Sequence, residues 1–63
     1  LNENQVIVLE KLKELDDDYI ISTICNFCDS YTESTEVENA FTSLNEKEEL
    51  EIIENFTEYL RSK

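Results

Sequence analysis

Residues 1–15 of this chain read LNENQVIVLEKLKEL and contain the signals of a helix start. Asn2 is followed three residues later by Gln5, which is a capping-box pattern, and Leu1 and Val6 are spaced for a hydrophobic staple around it. Beyond this start signal, apolar residues recur at helical spacing, at Val8, Leu9, Leu12 and Leu15. The stretch therefore predicts an amphipathic helix over residues 3–15.

A second helix is predicted over residues 19–31, directly after three consecutive aspartates. Either Asp17 or Asp18 is the expected N-cap, because a carboxylate is stabilised near the positive end of a helix. The apolar residues of this stretch form a wide surface: Ile20, Ile21, Ile24, Cys25, Phe27, Cys28 and Tyr31. This width predicts that the second helix is the central and most buried one.

The rest of the chain predicts two more helices. Thr35 and Glu38 form a capping-box pattern at the start of a short helix. Asn45 and Glu48 form another, which opens a final helix over residues 46–61.

The composition favours an all-α fold. The 63-residue chain contains no glycine and no proline, so the tight hairpin turns that join β-strands have no residue suited to them. Helices joined by Asp-, Ser- and Thr-rich corners need neither residue. We therefore expect residues 1–63 to form a single all-α domain, a small acidic bundle of three long helices and one short one. Its expected core consists of Leu9, Leu12, Leu15, Ile20, Ile24, Phe27, Phe41, Ile53, Phe56 and Leu60.

Composition and charge exclude several functions. The chain has no histidine, so it has no imidazole for acid–base catalysis or metal binding, and without glycine it cannot form a phosphate-binding loop. Five basic and 16 acidic residues give a formal net charge of −11, which opposes direct binding to nucleic acid or to anionic membranes. We therefore expect a protein that is not an enzyme and that has no cofactor, no metal and no contact with nucleic acid or membrane.

Cys25 and Cys28 form a CxxC pair, a pattern found in redox-active and zinc-binding proteins. A thioredoxin-like motif needs a preceding strand, and one chain offers only two cysteines and no histidine to a zinc ion. Two chains could supply four cysteines across a dimer axis. The interpretation that we favour is that both side chains are small apolar fillers of the core in a reducing environment.

The acidic residues suggest a binding surface. On the final helix Glu51, Glu54 and Glu58 lie along one face, with neighbours about 5–6 Å apart, a spacing comparable with that of phosphates along a nucleic-acid strand. One hypothesis is that this surface imitates nucleic acid and occupies a basic groove, and the other is that it only solvates the protein. The candidate partner-binding residues are Glu48, Glu51, Glu54, Glu58, Asp16, Asp17 and Asp18.

Two stretches, residues 1–13 and 44–59, resemble small accessory proteins of phages and prophages of Gram-positive bacteria. The first is similar to their "L-T/N-E-N-Q…VLEWLK" opening and the second to their "L-x-E-K-E-E-L-E-V-L…F-x-E-W" closing helix, with Lys11 and Tyr59 where the family usually has tryptophan. The resemblance implies a phage-encoded protein in the cytoplasm of a bacterial host. We expect it to inhibit a host nucleic-acid-handling protein by occupying a basic surface, as anti-restriction, anti-CRISPR and DNA-mimic proteins do.

The alternative is a structural or assembly module that is not an enzyme. Val6, Ile7 and Leu50 lie off the main apolar stripes, and a chain of this length has difficulty burying all its apolar side chains alone. These residues predict a homodimer or a further phage protein bound through apolar helix faces.

Overall fold

Four α-helices and no strand make up the computed structural model, which describes residues 1–63. The helices are α1 (Glu3–Leu15), α2 (Ile20–Ser30), α3 (Thr35–Thr42) and α4 (Glu46–Arg61), and one 3-10 turn, Tyr31–Glu33, joins α2 to α3. The prediction of an all-α fold is confirmed. The helices have 13, 11, 8 and 16 residues, and a division into three long helices and one short one is not confirmed. None of them has the length and apolar character needed to cross a bilayer.

Both α1 and α4 begin at predicted capping boxes. Asn2 Oδ1 accepts from the backbone N–H of Gln5 at 2.8 Å, and Gln5 Oε1 accepts from the backbone N–H of Asn2 at 2.8 Å. Asn45 and Glu48 exchange the same pair of bonds, each at 2.9 Å. Each box satisfies two backbone donors near the start of a helix, so short-range sequence signals determine both starts.

The start of α3 lies one residue before its predicted capping box. Ser34 is the N-cap, and its hydroxyl accepts from the backbone N–H of Val37 at 3.4 Å. Thr35 is already the first helical residue, so the predicted pairing of Thr35 with Glu38 as a capping box is wrong. Ser34 and Thr35 carry the same capping group, and only the extended backbone at Ser34 distinguishes them.

The corner before α2 uses its aspartates in an unexpected way, and the prediction that Asp17 or Asp18 caps the helix is wrong. The N-cap is Tyr19, whose side chain makes no capping bond. Asp17 lies two residues earlier, and its Oδ1 accepts from the backbone N–H of Tyr19 at 3.1 Å. Asp18 has a φ of 72°, a left-handed conformation that aspartate tolerates, and its N–H donates to Asp16 Oδ1 at 2.8 Å. Aspartate side chains therefore build the turn that glycine commonly makes.

The central helix of the bundle is α1. It packs against α2, α3 and α4, whereas these three helices make no comparably extensive contact with one another. The residues that α1 buries are Gln5, Val8, Leu9 and Leu12. Because α2 buries only Thr23 and Phe27, the prediction that α2 is the most buried helix is wrong.

The apolar core combines residues of all four helices, namely Val8, Leu9, Leu12, Phe27, Val37, Ala40, Ile52 and Phe56. Four of the predicted core residues belong to it: Leu9, Leu12, Phe27 and Phe56. Four more pack against it while half-buried: Leu15, Ile20, Phe41 and Leu60. The remaining two, Ile24 and Ile53, are half-buried and line an open groove. Helical periodicity thus identifies the inward side of each helix, but not how deeply each residue is covered.

Candidate protein-binding surfaces

Glu48 and Glu51 hold α4 against the start of α1. Glu48 Oε2 accepts from Nδ2 of Asn2 at 2.6 Å, in addition to the bond that Glu48 makes within the capping box. Gln5 is only 3% exposed, and its Nε2 donates to Glu51 Oε1 at 3.0 Å and to the carbonyl of Glu48 at 3.1 Å. Two of the predicted partner-binding carboxylates are therefore hydrogen-bonded within the fold.

Asp16 and Asp18 contact the other end of α4. Nζ of Lys63 donates to Asp16 Oδ2 and lies 2.6 Å from Asp18 Oδ1. We call Asp16, Asp18 and Lys63 the C-terminal clasp. The side chain of Asp16 is only 4% exposed. The hydrogen bond from Lys63 lowers the pKa of Asp16, and the backbone N–H of Asp18 lowers it further. The same two carboxylates raise the pKa of Lys63.

Asp17 links the α1–α2 corner to the first turns of α2. Its Oδ2 accepts from the Ser22 hydroxyl at 2.6 Å, and its Oδ1 accepts from the Thr23 hydroxyl at 3.1 Å. Thr23 is completely buried and accepts from the backbone N–H of Asp17 at 3.3 Å. The bond from Ser22, followed by that from the N–H of Tyr19, lowers the pKa of the Asp17 carboxyl. Asp17 therefore has a structural role of its own.

The seven predicted partner-binding residues do not form one surface. The helices α1 and α4 run parallel, since Asn2 meets Glu48 at one end of the pair and Asp16 meets Lys63 at the other. At 1.5 Å per residue these two ends are about 20 Å apart. The structure divides the predicted acidic residues between the two ends and the outer face of α4.

On that outer face, Glu54 and Glu58 are the two predicted residues without an internal role. Both are exposed, and neither carboxylate makes a hydrogen bond or an ion pair in the chain. Lys47 precedes Glu54 by seven residues and Arg61 follows Glu58 by three, so these cations share the face. The face is acidic in its middle and basic at its two ends.

The remaining surface of the protein is strongly acidic. Lys11, Lys13 and Lys63 form ion pairs, which leaves Lys47 and Arg61 as the cationic side chains without one. The carboxylates without a hydrogen bond or ion pair in the chain are Glu3, Asp29, Glu33, Glu36, Glu38, Glu46, Glu49, Glu54 and Glu58. Free acidic groups therefore far outnumber free basic groups.

An open apolar groove lies between α2 and α4. Val8 and Leu12 of α1 form its floor, and it encloses about 180 Å³. Nine of its ten lining residues are hydrophobic, and Glu49 is the exception. The walls consist of Ile24, Phe27 and Cys28 on α2, Phe41 on α3, Leu44 between α3 and α4, and Ile52 and Ile53 on α4.

Aromatic packing supports the wall that α2 and α3 provide. The ring centroids of Phe27 and Phe41 are 5.2 Å apart at an interplanar angle of 73°, and those of Tyr31 and Phe41 are 4.8 Å apart at 62°. Edge-to-face contacts of this kind contribute stability in addition to the contribution of the apolar area that they bury. They hold the end of α2 and the 3-10 turn that follows it against Phe41 of α3.

Exposed apolar side chains continue the groove on both of its flanking helices. Ile21 is 76% exposed and shares a helix face with Ile24 and Cys28, at i, i+3 and i+7. Leu50 is 56% exposed and lies three residues before Ile53 on α4. A continuous apolar patch surrounded by charged residues is typical of an interaction site.

The prediction that Cys25 and Cys28 fill the core is wrong, because both are exposed and unpaired. They lie on the face of α2 that also carries Ile21, and Cys28 lines the groove whereas Cys25 does not. No group of three or more Cys, Asp or Glu side chains is arranged to hold a metal ion.

Sequence reasoning missed the groove, although a signal for it is present. The apolar surface of α2 is wider than the part that the core covers, and Leu50 lies off the core stripe of α4. No protein-family model, curated protein or solved structure matches this chain. The two candidate surfaces are thus the acidic outer face of α4 and the apolar groove.

Proposed function

We propose that this chain is a binding protein, and not an enzyme, that docks on a basic surface of a partner protein. The observation that carries the proposal is the excess of free carboxylates over free cations on a chain with a net charge of −11. A surface of this charge attracts a basic partner and orients it during the encounter. Such electrostatic complementarity increases the association rate and the specificity more than the affinity.

The resemblance to small accessory proteins of Gram-positive phages and prophages supplies a setting for this function. A host nucleic-acid-handling protein has a basic groove that binds phosphates, and an acidic phage protein of this size can occupy such a groove. The chain then acts as an anti-defence protein of the anti-CRISPR or DNA-mimic type.

Glu54 and Glu58 support this function best, because their carboxylates are exposed and free to meet a cation. Glu48 and Glu51 are hydrogen-bonded to α1, so replacing them disturbs the fold as well as any interface. The variants that test the function must therefore leave Glu48 and Glu51 intact.

Affinity capture from a bacterial host lysate tests the proposal with the double variant Glu54→Gln, Glu58→Gln. The matched control is Glu33→Gln, Glu36→Gln, which removes the same charge from exposed residues outside α4. We expect the first variant to recover less of a nucleic-acid-binding protein and the control to recover as much as the unchanged chain. Duplex DNA should compete with the chain for the captured protein. Equal recovery by the two variants, or a partner for which DNA does not compete, contradicts the proposal.

A second candidate function is an assembly module that binds through apolar surfaces, and the groove between α2 and α4 favours it. Here the acidic residues only solvate the surface, and the partner is a second copy or another phage protein. Salt distinguishes the two functions, because binding to a basic surface weakens steeply as salt is added and apolar docking barely responds.

A further inference from the structure

We propose that the groove between α2 and α4 binds an amphipathic helix with basic flanks, which a partner protein supplies. The inference rests on the second candidate function in taking the groove as a docking surface. It departs from that function in giving the carboxylates beside the groove a part in recognition, and it adds the chemical class of the occupant. Size, backbone chemistry and charge each restrict what that occupant is.

The size of the groove fits one large apolar side chain with further contacts around it. Its volume is about 180 Å³, and a cavity of about 150 Å³ is known to accommodate a benzene molecule. Ile21 and Leu50 lie outside this space on the two flanking helices and are exposed. One anchoring side chain in the groove, with neighbours one turn away on Ile21 and Leu50, matches the way an amphipathic helix binds a groove.

Backbone chemistry favours a helix over an extended peptide. Helices supply every lining residue of the groove except Leu44, which lies between α3 and α4 and donates its N–H to the carbonyl of Phe41. The backbone groups of the helices are hydrogen-bonded within the helices. A peptide that binds by adding a β-strand needs a strand edge to pair its N–H and C=O groups, and this protein has no strand. A helix satisfies its own backbone and presents only side chains.

Charge favours a basic partner over a second copy. Glu49 is the one charged residue that lines the groove, Glu46 precedes it by three residues on α4, and Asp29 follows Cys28 on α2. None of these carboxylates has a partner in the chain, and no basic side chain lines the groove. A second copy would bring the same carboxylates and a charge of −11 to the interface. Lysine or arginine beside the apolar anchors of a partner helix complements them.

Cysteine footprinting tests the site with two variants that the chain itself offers. Cys25→Ser leaves Cys28 in the groove as the single thiol, and Cys28→Ser leaves Cys25 outside it. The probe is a designed peptide of about 18 residues, long enough to form a helix, with leucines at i, i+3 and i+7, lysines beside them and alanines at the remaining positions. At about ten times its Kd, it should slow thiol modification of Cys28 about tenfold, because only the unbound fraction reacts. Modification of Cys25 should remain nearly unchanged.

Charge recognition is tested by replacing Glu49→Gln against the matched control Glu36→Gln. Both residues are exposed helical glutamates and both variants lose one charge, but only Glu49 lines the groove. We expect Glu49→Gln to weaken peptide binding about two- to fivefold and Glu36→Gln to leave it nearly unchanged. Equal effects of the two variants overturn the assignment of Glu49.

Three further outcomes overturn the inference, and they bear differently on the two candidate functions. The first is that a peptide with glutamates in place of the lysines binds as tightly as the lysine peptide and still protects Cys28. This result refutes the basic flanks and leaves the groove as a docking surface. Equal binding of a scrambled lysine peptide refutes the groove and leaves the function of binding a basic surface intact. Protection of Cys28 by increasing concentrations of the protein alone identifies a second copy as the occupant.

Discussion

Replacing Glu51 with alanine should destabilise the protein, whereas the same replacement at Glu54 should not. Glu51 accepts from the buried amide of Gln5 at 3.0 Å, and a hydrogen bond to a charged group contributes about 1.5–3 kcal/mol. Removing Glu51 also relieves its repulsion with Glu48 and Glu54, by about 0.2–0.5 kcal/mol for each pair. The expected net loss for Glu51→Ala is therefore about 1–2 kcal/mol of unfolding free energy.

The change Glu54→Ala breaks no bond and relieves repulsion with Glu51 and Glu58, so we expect stability to rise by about 0.5–1 kcal/mol. The two variants should then differ by about 2 kcal/mol, or roughly 8–16 °C in Tm at this chain length. Thermal unfolding followed by far-UV circular dichroism measures the difference, and both variants change the net charge equally. Melting temperatures that agree within error would refute the assignment of Glu51 to the fold.

Three other predictions follow from the burial and hydrogen bonding of particular side chains. The lowered pKa of Asp16 and the raised pKa of Lys63 mean that the C-terminal clasp contributes stability at neutral pH. Its contribution should be lost as the pH falls below the ordinary aspartate value of 3.8, or rises above the ordinary lysine value of 10.5. An NMR titration should give the Asp16 carboxyl a pKa below 3.8, and the variant Lys63→Ala should return this pKa toward 3.8. A pKa of 3.8 for Asp16 in the unchanged chain contradicts the clasp. Thr23→Val should destabilise by about 1–3 kcal/mol in urea unfolding, because it removes the hydroxyl that donates to the Asp17 carboxylate and accepts from the N–H of Asp17. An unchanged urea midpoint opposes this role. Both thiols of α2 should react with a thiol reagent in the folded protein as fast as in urea, and protection of either one is inconsistent with its exposure.

The signals that predicted the fold correctly act over three or four residues. The capping boxes at Asn2 and Asn45 each pair an asparagine with the residue three positions later in the sequence. The sequence alone therefore locates the starts of α1 and α4. The same signal is ambiguous where two hydroxyl residues adjoin, as Ser34 and Thr35 do. There the backbone conformation, which a pattern does not contain, decides which of them caps α3.

The depth of burial was less predictable, because it depends on how the helices are arranged. The apolar surface of α2 suggested the centre of the bundle, yet part of it borders an open groove and exposes Ile21. A wide apolar stripe looks the same in sequence whether another helix of the chain covers it or a partner does.

The acidic site was the least predictable feature, because distant residues decide which carboxylates are free. Asn2 and Gln5 bind Glu48 and Glu51 across 43 to 46 residues of sequence, and Lys63 reaches Asp16 across 47. The sequence predicted all these carboxylates as candidate partner-binding residues. Only the packing of α1 against α4 separates those that hold the fold from those that can meet a partner.

The salt dependence of binding tests most directly whether the partner of this protein is basic. The measurement is the affinity of the chain for the protein that it captures from a host lysate, determined by calorimetry at increasing salt. We expect the affinity to fall by about tenfold or more between about 50 and 300 mM salt, because screening weakens the attraction of exposed charges. An affinity that does not change over this range would contradict recognition through charge.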